Sequence, residues 1–286
     1  MKYDYCVVGG TGAVGSAIVE QLKVVGSVAI INSKNCDLSQ NFFTPPPIRA
    51  KTIINAAGTF GGLKQYETNS KIVEGHYISN LVKLCESIHS ENVVNISSAA
   101  VSNDYNKNMS SHYKEYVSHK IKIEEALDGC GIKNIAHLRC TNIISKYENY
   151  KTSGHSIASI YRNIEKMPDI LEIWSNKDDW REYVDAEDVA MIVNKVIDRS
   201  ISGVLNIGSG RLTYIPQVVD YFTEKLKFSG EIVYTQPHKT GPLDSLIGWP
   251  VNDFSDLIKP VSFSESLEKC HVVWSGLSTN PRVIRP

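Results

Sequence analysis

The chain has 286 residues, 42% hydrophobic and 21% charged, which is globular composition at a length suited to roughly two lobes. Thirty Lys and Arg against 31 Asp and Glu leave a net charge of −1, so no overall field draws the chain to nucleic acid or to an anionic membrane. The six cysteines form no CxxC pair, no apolar run reaches the length of a membrane span, and no charged-then-apolar leader precedes the first strand; the expectation is a soluble cytoplasmic protein with reduced thiols and no metal site.

Short apolar runs alternate with helical patterns, which predicts parallel βαβ units in a doubly wound α/β sheet. Tyr3 to Val8 is a strand leading into glycines, and Ser16 to Val24 then sets Ile18, Val19 and Leu22 at helical spacing. Val28 to Ile31 is the second strand, Thr52 to Asn55 a third or fourth, and Val93 to Ile96 and Ile135 to Leu138 are two more. Pro45 to Pro47 mark a loop, since they fit neither a helix nor a central strand.

From about Thr141 the rhythm changes. A helix from His155 to Lys166, a short strand near Leu171 to Trp174 and a helix from Ala186 to Asp198 precede Val204 to Ile207, a helix near Ile215 to Leu226, and Ile232 to Tyr234. These predict a dinucleotide-binding domain over 1–141, with elements of about 180–210 returning to it, and a smaller discontinuous lobe built mainly from 142–286. The ligand cleft then lies between them at the sheet's carboxyl edge.

Residues 9–15 read GGTGAVG. Gly9 permits a tight turn, Gly12 lets backbone N–H groups approach a pyrophosphate, and Gly15 lets the helix pack closely on the strand; a Gly-rich turn without a ligand is the alternative. At the second strand's end, where an acid would grip a ribose 2′-OH, INSKN offers Asn32, Ser33 and Lys34 and no carboxylate, which favours NADP over NAD unless the run is merely a solvated strand end. Asp37 is suited to accept from an adenine amino group or to start a turn.

Tyr116 and Lys120 (YVSHK) share one face of a predicted helix, and an ammonium beside a phenol favours the phenolate, suiting Tyr116 to trade a proton with a carbonyl or alcohol. Ser98 closes VNISS and would offer its hydroxyl to the same substrate oxygen; otherwise Ser97 and Ser98 cap a turn. Arg162 and Arg181 carry guanidinium forks that match diphosphate oxygens, and Asn142 either bonds a sugar or phosphate oxygen or caps its loop.

Together these features resemble the extended short-chain dehydrogenase/reductase superfamily, the nucleotide-sugar epimerases, dehydratases and reductases, from Tyr3 to about Leu267. GGTGAVGS resembles the family's cofactor turn, adding Ala13 and Val14 to the three glycines; CDLS resembles the adenine contact, with Asp37 and Leu38. NAAG resembles the fourth-strand end, with Ala56, Ala57 and Gly58, and Asn69 the Asn of the following helix. SSAAV with YVSHK is similar to the family's Ser, Tyr and Lys, which puts Ser97 against the cofactor and Lys120 on the nicotinamide ribose. LNIGSG resembles the late strand and turn, and WREYVDAEDVA the segment in which an Arg reaches the nucleotide.

GAVGSAIVEQL, TSGHSIASIYRNIEK and SGEIVYTQPHKTGP are similar to the GDP-fucose synthase branch of NADP-dependent 4-keto sugar epimerase-reductases. That likeness puts His155 where the branch's proposed epimerisation acid stands; a helix-start histidine without chemistry is the alternative. Ala100 stands where the branch carries a Cys, so the base partner is missing, and Ser102 replaces the aromatic that usually follows SxxV. The resemblance implies a Rossmann-type fold and an NADPH-dependent reductase of a nucleotide-linked 4-keto-(6-deoxy) sugar. The runner-up is a nucleotide-sugar epimerase, and the non-enzyme alternative is a cofactor-binding regulator. It also implies a homodimer through the helices of Asn69 to Leu84 and Tyr116 to Leu127.

Overall fold

The computed structural model describes residues 1–58, 71–102, 111–235 and 258–279. The first half contributes β1 (Lys2–Val8), α1 (Ala13–Lys23), β2 (Val28–Ile31), β3 (Arg49–Asn55), α2 (Lys71–Ile88), β4 (Asn92–Ser98), α3 (Ser111–Asp128) and β5 (Asn134–Cys140). The second contributes β6 (Asn142–Ile144), α4 (Ser156–Glu165), β7 (Ile170–Ile173), β8 (Trp180–Asp185), α5 (Ala186–Asp198), β9 (Gly203–Ile207), β10 (Leu212–Tyr214), α6 (Ile215–Leu226), β11 (Glu231–Tyr234) and α7 (Phe263–Thr279).

Six strands form a parallel sheet in the order β2-β1-β3-β4-β5-β9. TIIN is thus the third strand of the described residues and lies directly beside β1. The chain leaves β1 for β2 on one side and returns for β3 on the other, so the order reverses there, and the loops that diverge at the carboxyl edge open a crevice.

The strands read as unbroken apolar runs because helices cover both faces. Val7, Ile54, Val94 and Leu138 meet Ile18 and Leu22 of α1 and Val189 and Val193 of α5 in one layer. Cys6, Ile53, Val93 and Ile135 meet Leu81 and Leu84 of α2 and Ile123 and Leu127 of α3 in the other. Burial pushes the thiols of Cys6, Cys85 and Cys140 up to about 12, and all six cysteines are free, so they serve as packing.

A polar ladder crosses this second layer in register. The Tyr77 hydroxyl donates to Asn55 Oδ1 at 3.3 Å, Asn55 Nδ2 donates to Asn95 Oδ1 at 2.8 Å, and Asn95 Nδ2 faces His137 Nδ1 at 3.1 Å. With an amide donor on Nδ1, the imidazole proton sits on Nε2 and points to Asp128 Oδ1 at 3.0 Å. A slip of one residue between β3, β4 and β5 would orphan every member, so the ladder reinforces the register.

β9 closes the sheet against β5, and α5 packs on α1, so elements late in the chain complete the core of the six-stranded sheet. A separate hydrophobic cluster gathers Tyr150, Tyr161, Phe222 and Trp274, with Tyr161 edge-on to the other three at 5.1 Å between ring centroids. Its frame is the three-stranded β10-β8-β6 sheet and the β11-β7 pair. No helix among the described residues is long and apolar enough to cross a membrane, and no described group of side chains could hold a metal ion.

Candidate active site

The site begins at the carboxyl end of β1. Gly9 adopts φ +78°, and a Cβ there would lie 2.6 Å from the Ala57 Cα, so both the left-handed backbone and the close exit of β3 demand glycine. A Cβ at Gly15 would sit 2.1 Å from the Gly9 carbonyl oxygen, which places α1 tight beneath the bend. Gly12 donates its N–H to that same oxygen at 2.9 Å and stands as the N-cap of α1, with no side-chain cap and no acid in the first turn. The amides of Ala13, Val14 and Gly15 have no partner within the helix by its geometry, and the helix dipole reinforces them. This bare cradle, which any side chain would fill, fits a diphosphate.

Beside it, the end of β2 closes on itself. Asn32 Oδ1 accepts from the N–H groups of Lys34 at 2.9 Å and Asn35 at 3.2 Å, and Asn35 Oδ1 accepts from Asn32 N–H at 2.9 Å. Asn32 is therefore spent on the turn, and Ser33 and Lys34 stand exposed with no carboxylate side chain among residues 32–35. Asp37 accepts from Ser39 N–H at 2.9 Å, Ser39 Oγ at 2.7 Å and Gln40 Nε2 at 2.8 Å, bonds that hold its carboxyl below the usual range. Its carboxylate closes a turn, and that turn docks on α2 because Asn80 Nδ2 donates to the carbonyls of Leu38 at 2.9 Å and Gln40 at 2.8 Å.

At the end of β3, Ala56 N–H bonds Val8 O at 2.9 Å, Ala57 abuts Gly9, and Gly58 is exposed, with no described residue within 4 Å of where a Cβ would be. Asn69 lies outside the described residues.

The end of β4 carries Ser97 and Ser98, both buried. Ser98 Oγ accepts from Ala100 N–H at 3.3 Å and caps a short turn over Ala99–Val101, which leaves its hydroxyl proton available to a substrate oxygen. Lys120 of α3 donates to the Ile96 carbonyl at 3.3 Å, two residues before Ser98. α3 starts at the carboxyl edge and runs back toward β5, so half-buried Tyr116, one turn before Lys120, lies nearer that edge. Ser102 is a bridge here: it donates to Asn206 Oδ1 at 2.8 Å and accepts from Arg139 Nη1 at 3.2 Å.

The remaining sequence candidates sit on or just before β6, α4 and β8. His155 is the half-exposed N-cap of α4, its Nδ1 paired with buried Glu148, whose same oxygen accepts from the Ser153 hydroxyl. That carboxylate raises the imidazole above its ordinary value, and partial burial opposes it. Arg162 is used inside the chain: Nη1 donates to the carbonyls of Tyr150 at 2.6 Å and Ser153 at 2.7 Å, and Nη2 to Ser159 Oγ at 2.9 Å, which clamps the loop before His155. Asn142 Nδ2 donates to Glu182 O at 3.0 Å across the β6–β8 pair, and Arg181 of β8 is half-buried with Nη1 on the Trp180 carbonyl at 2.7 Å.

Sequence reasoning missed three buried or half-buried charges: Glu124, Arg139 and Glu148. Glu124 extends the Tyr116–Lys120 stripe by one more turn, and Arg139 interrupts an otherwise apolar strand (IAHLRC); both were visible signals.

A parallel sheet that presents a side-chain-free diphosphate cradle at its switch point, with Tyr and Lys on one helix face at the same edge, defines a dinucleotide-dependent α/β enzyme. More narrowly, the chain belongs to the NAD dependent epimerase/dehydratase family, whose model matches residues 5–208. Among solved structures it is similar to a GDP-6-OMe-4-keto-L-xylo-heptose reductase from C. jejuni, at 14% identity and TM-score 0.79 over 98% of this chain and 99% of that one. A GDP-L-fucose synthetase from Naegleria fowleri bound to NADP aligns at 14% identity and TM-score 0.78 over 98% and 96%. The UDP-glucose 4-epimerase of Thermus thermophilus in complex with NAD aligns at 19% and 0.72 over 96% and 99%. No curated protein sequence matches the chain.

Proposed function

We propose that this chain is an NADPH-dependent reductase of a nucleotide-linked 4-keto-6-deoxy sugar. The observation that carries the reading is the convergence at the end of β4: Lys120 bonded to the Ile96 carbonyl at 3.3 Å, Tyr116 one turn nearer the carboxyl edge, and Ser98 closing the strand. The reduced nicotinamide of the cofactor supplies the hydride when bound. Gly9, Gly12, Ala13, Val14 and Gly15 hold the diphosphate, while Ser33 and Lys34 receive the 2′-phosphate. Ser98 donates its hydroxyl proton to the substrate carbonyl, and Tyr116 delivers a proton to that oxygen as it gains charge. Lys120 favours the negative charge left on the phenol oxygen.

Epimerisation is the second reading, favoured by the Glu148–His155 pair, which holds a proton on the imidazole. It needs a base beside the ketone, and the fully buried methyl of Ala100 supplies none. A homodimer paired through α2 and α3 is part of the proposal, with Ile121 exposed on α3 as one apolar contact, and sedimentation as a monomer would remove it. The decisive experiment mixes the purified chain with NADPH and a 4-keto-6-deoxy nucleotide sugar. Loss of NADPH absorbance that stops in Tyr116→Phe is the expected result; loss that continues unchanged in that variant overturns the role of the phenol, and none in the native chain overturns the substrate class.

A further inference from the structure

Glu124 lies on α3 one turn beyond Lys120 and two beyond Tyr116, and it is 5% exposed. Its Oε2 accepts from Arg139 Nη2 at 2.6 Å, and its Oε1 from Arg139 Nε at 3.1 Å and from the Ser97 hydroxyl. The same arginine reaches Ser102, which reaches Asn206. One carboxylate therefore ties α3 to β4 at Ser97, to β5 at Arg139, and through that arginine to the turn after Ser98 and to β9. None of the chemistry proposed above uses it.

A buried ion pair is a costly way to hold a helix that apolar residues would hold as firmly. What the fork adds is direction, because a bidentate guanidinium accepts a carboxylate in one geometry, whereas aliphatic contacts slide. The tether of α3 to β4 from Lys120 to Ile96 is, by contrast, a single bond of 3.3 Å to a neutral carbonyl. Asp128 shares the hold on register one turn further on, through His137 Nε2 at 3.0 Å, but Glu124 is the carboxylate nearer Tyr116 and Lys120. A shift of α3 there would move Tyr116 and Lys120 together relative to Ser98.

We propose that Glu124 is a positioning residue, fixing α3 on β4 so that Tyr116 and Lys120 meet the substrate oxygen that Ser98 holds. This inference rests on the reductase reading of those three residues.

Two variants separate positioning from support. The double variant Glu124→Leu with Arg139→Met removes both charges and keeps an apolar filling, and Arg139→Lys keeps the charge but loses the fork. Positioning predicts that the double variant melts at or above the native temperature and binds NADPH within about threefold, while kcat falls about 10- to 100-fold at nearly constant KM. Arg139→Lys lowers kcat in the same sense. A merely structural pair predicts that kcat recovers with the melting temperature, and native kcat in a stable double variant overturns the proposal.

A second readout needs no substrate: 3-fluorotyrosine at position 116, about 12 Å along the helix from residue 124, reports displacement by its ¹⁹F resonance with NADPH bound. Movement of that resonance in either variant supports the proposal, including where the double variant fails to fold and only Arg139→Lys is read. An unmoved resonance overturns it. If the native chain turns over no keto sugar yet the resonance moves, the substrate reading fails and the positioning role stands.

Discussion

The hydroxyl of Ser145 donates to the carbonyl of Ala13 at 2.7 Å, which fastens the second half of the chain to the first turn of the cofactor helix. Tyr147 repeats the contact on Glu20 further along α1, and the same segment runs on to Glu148 and His155. Ser145→Ala removes one part-buried hydrogen bond, about 1 kcal/mol, so NADPH affinity is expected to weaken about fivefold and the melting midpoint to fall with it. Titration calorimetry on both proteins checks this, and equal affinities would show that the tether and the cradle are independent.

Gly15→Ala tests the cradle itself. Its methyl would meet the Gly9 carbonyl oxygen, the Gly9 carbonyl carbon and the Gly10 Cα within 2.9 Å, and all three are backbone, so no side-chain rotation relieves the clash. Overpacking of this kind costs about 1–3 kcal/mol, and the displaced α1 amides no longer converge, so NADPH affinity is expected to fall more than about tenfold. Gly58→Ala, where no atom of the described residues lies within 4 Å of the added carbon, is the control and leaves the melting temperature near native.

The proposed preference for NADPH is tested at the turn after β2. Lys34 is exposed and its backbone is held by Asn32, so a carboxylate can replace the ammonium without disturbing the fold. Lys34→Asp exchanges attraction for repulsion of a 2′-phosphate and is expected to weaken NADPH about 10- to 100-fold while leaving NADH nearly unchanged. Fluorescence titration with both cofactors decides it; equal losses for the two would mean that Lys34 lies away from the ribose.

Features carried by contiguous residues were legible in the sequence. The strand, glycine bend and helix of Tyr3 to Val24, the carboxylate-free INSKN and the Tyr116–Lys120 face each fit inside one short window, where spacing alone raises the expectation. The pairs that organise the site do not. Glu124 meets Arg139 across 15 residues, and Asn95 meets His137 across 42, because the order β3-β4-β5 brings them together. Asp37 and Arg162 show the converse. Their chemistry suits a ligand, but the nearest donors and acceptors belong to their own loops, and the structure engages both in turns or clamps. β6 and β10, three residues each, were too short to stand out, whereas β8 is six residues long and its mixed WREYVD carries two charges and no apolar run; α7 went unread although Leu267, Cys270 and Trp274 bury one of its faces.

Stability against pH is governed in part by Asp188, at the start of α5. The residue is 2% exposed; Oδ2 accepts from Val261 N–H at 3.0 Å, and Oδ1 has no hydrogen-bond partner among the described residues. Asp185 and Glu187 act on it with like charge and Lys269 with opposite charge, while burial, the largest effect, pushes its carboxyl up from 3.8 to about 6. Between those values the folded chain holds a proton that the unfolded chain has released. The group's contribution to stability is therefore full below about pH 4 and is lost as pH rises through about 6, a change of about 1–3 kcal/mol. Asp188→Asn keeps an oxygen for Val261 and carries no charge, so near neutrality it is expected to raise the melting midpoint and to flatten the pH dependence over that window. Urea unfolding of both proteins from about pH 4 to 7 measures the difference directly. Parallel stability curves would show that the carboxyl does not titrate there and that Asp188 is already matched by Lys269.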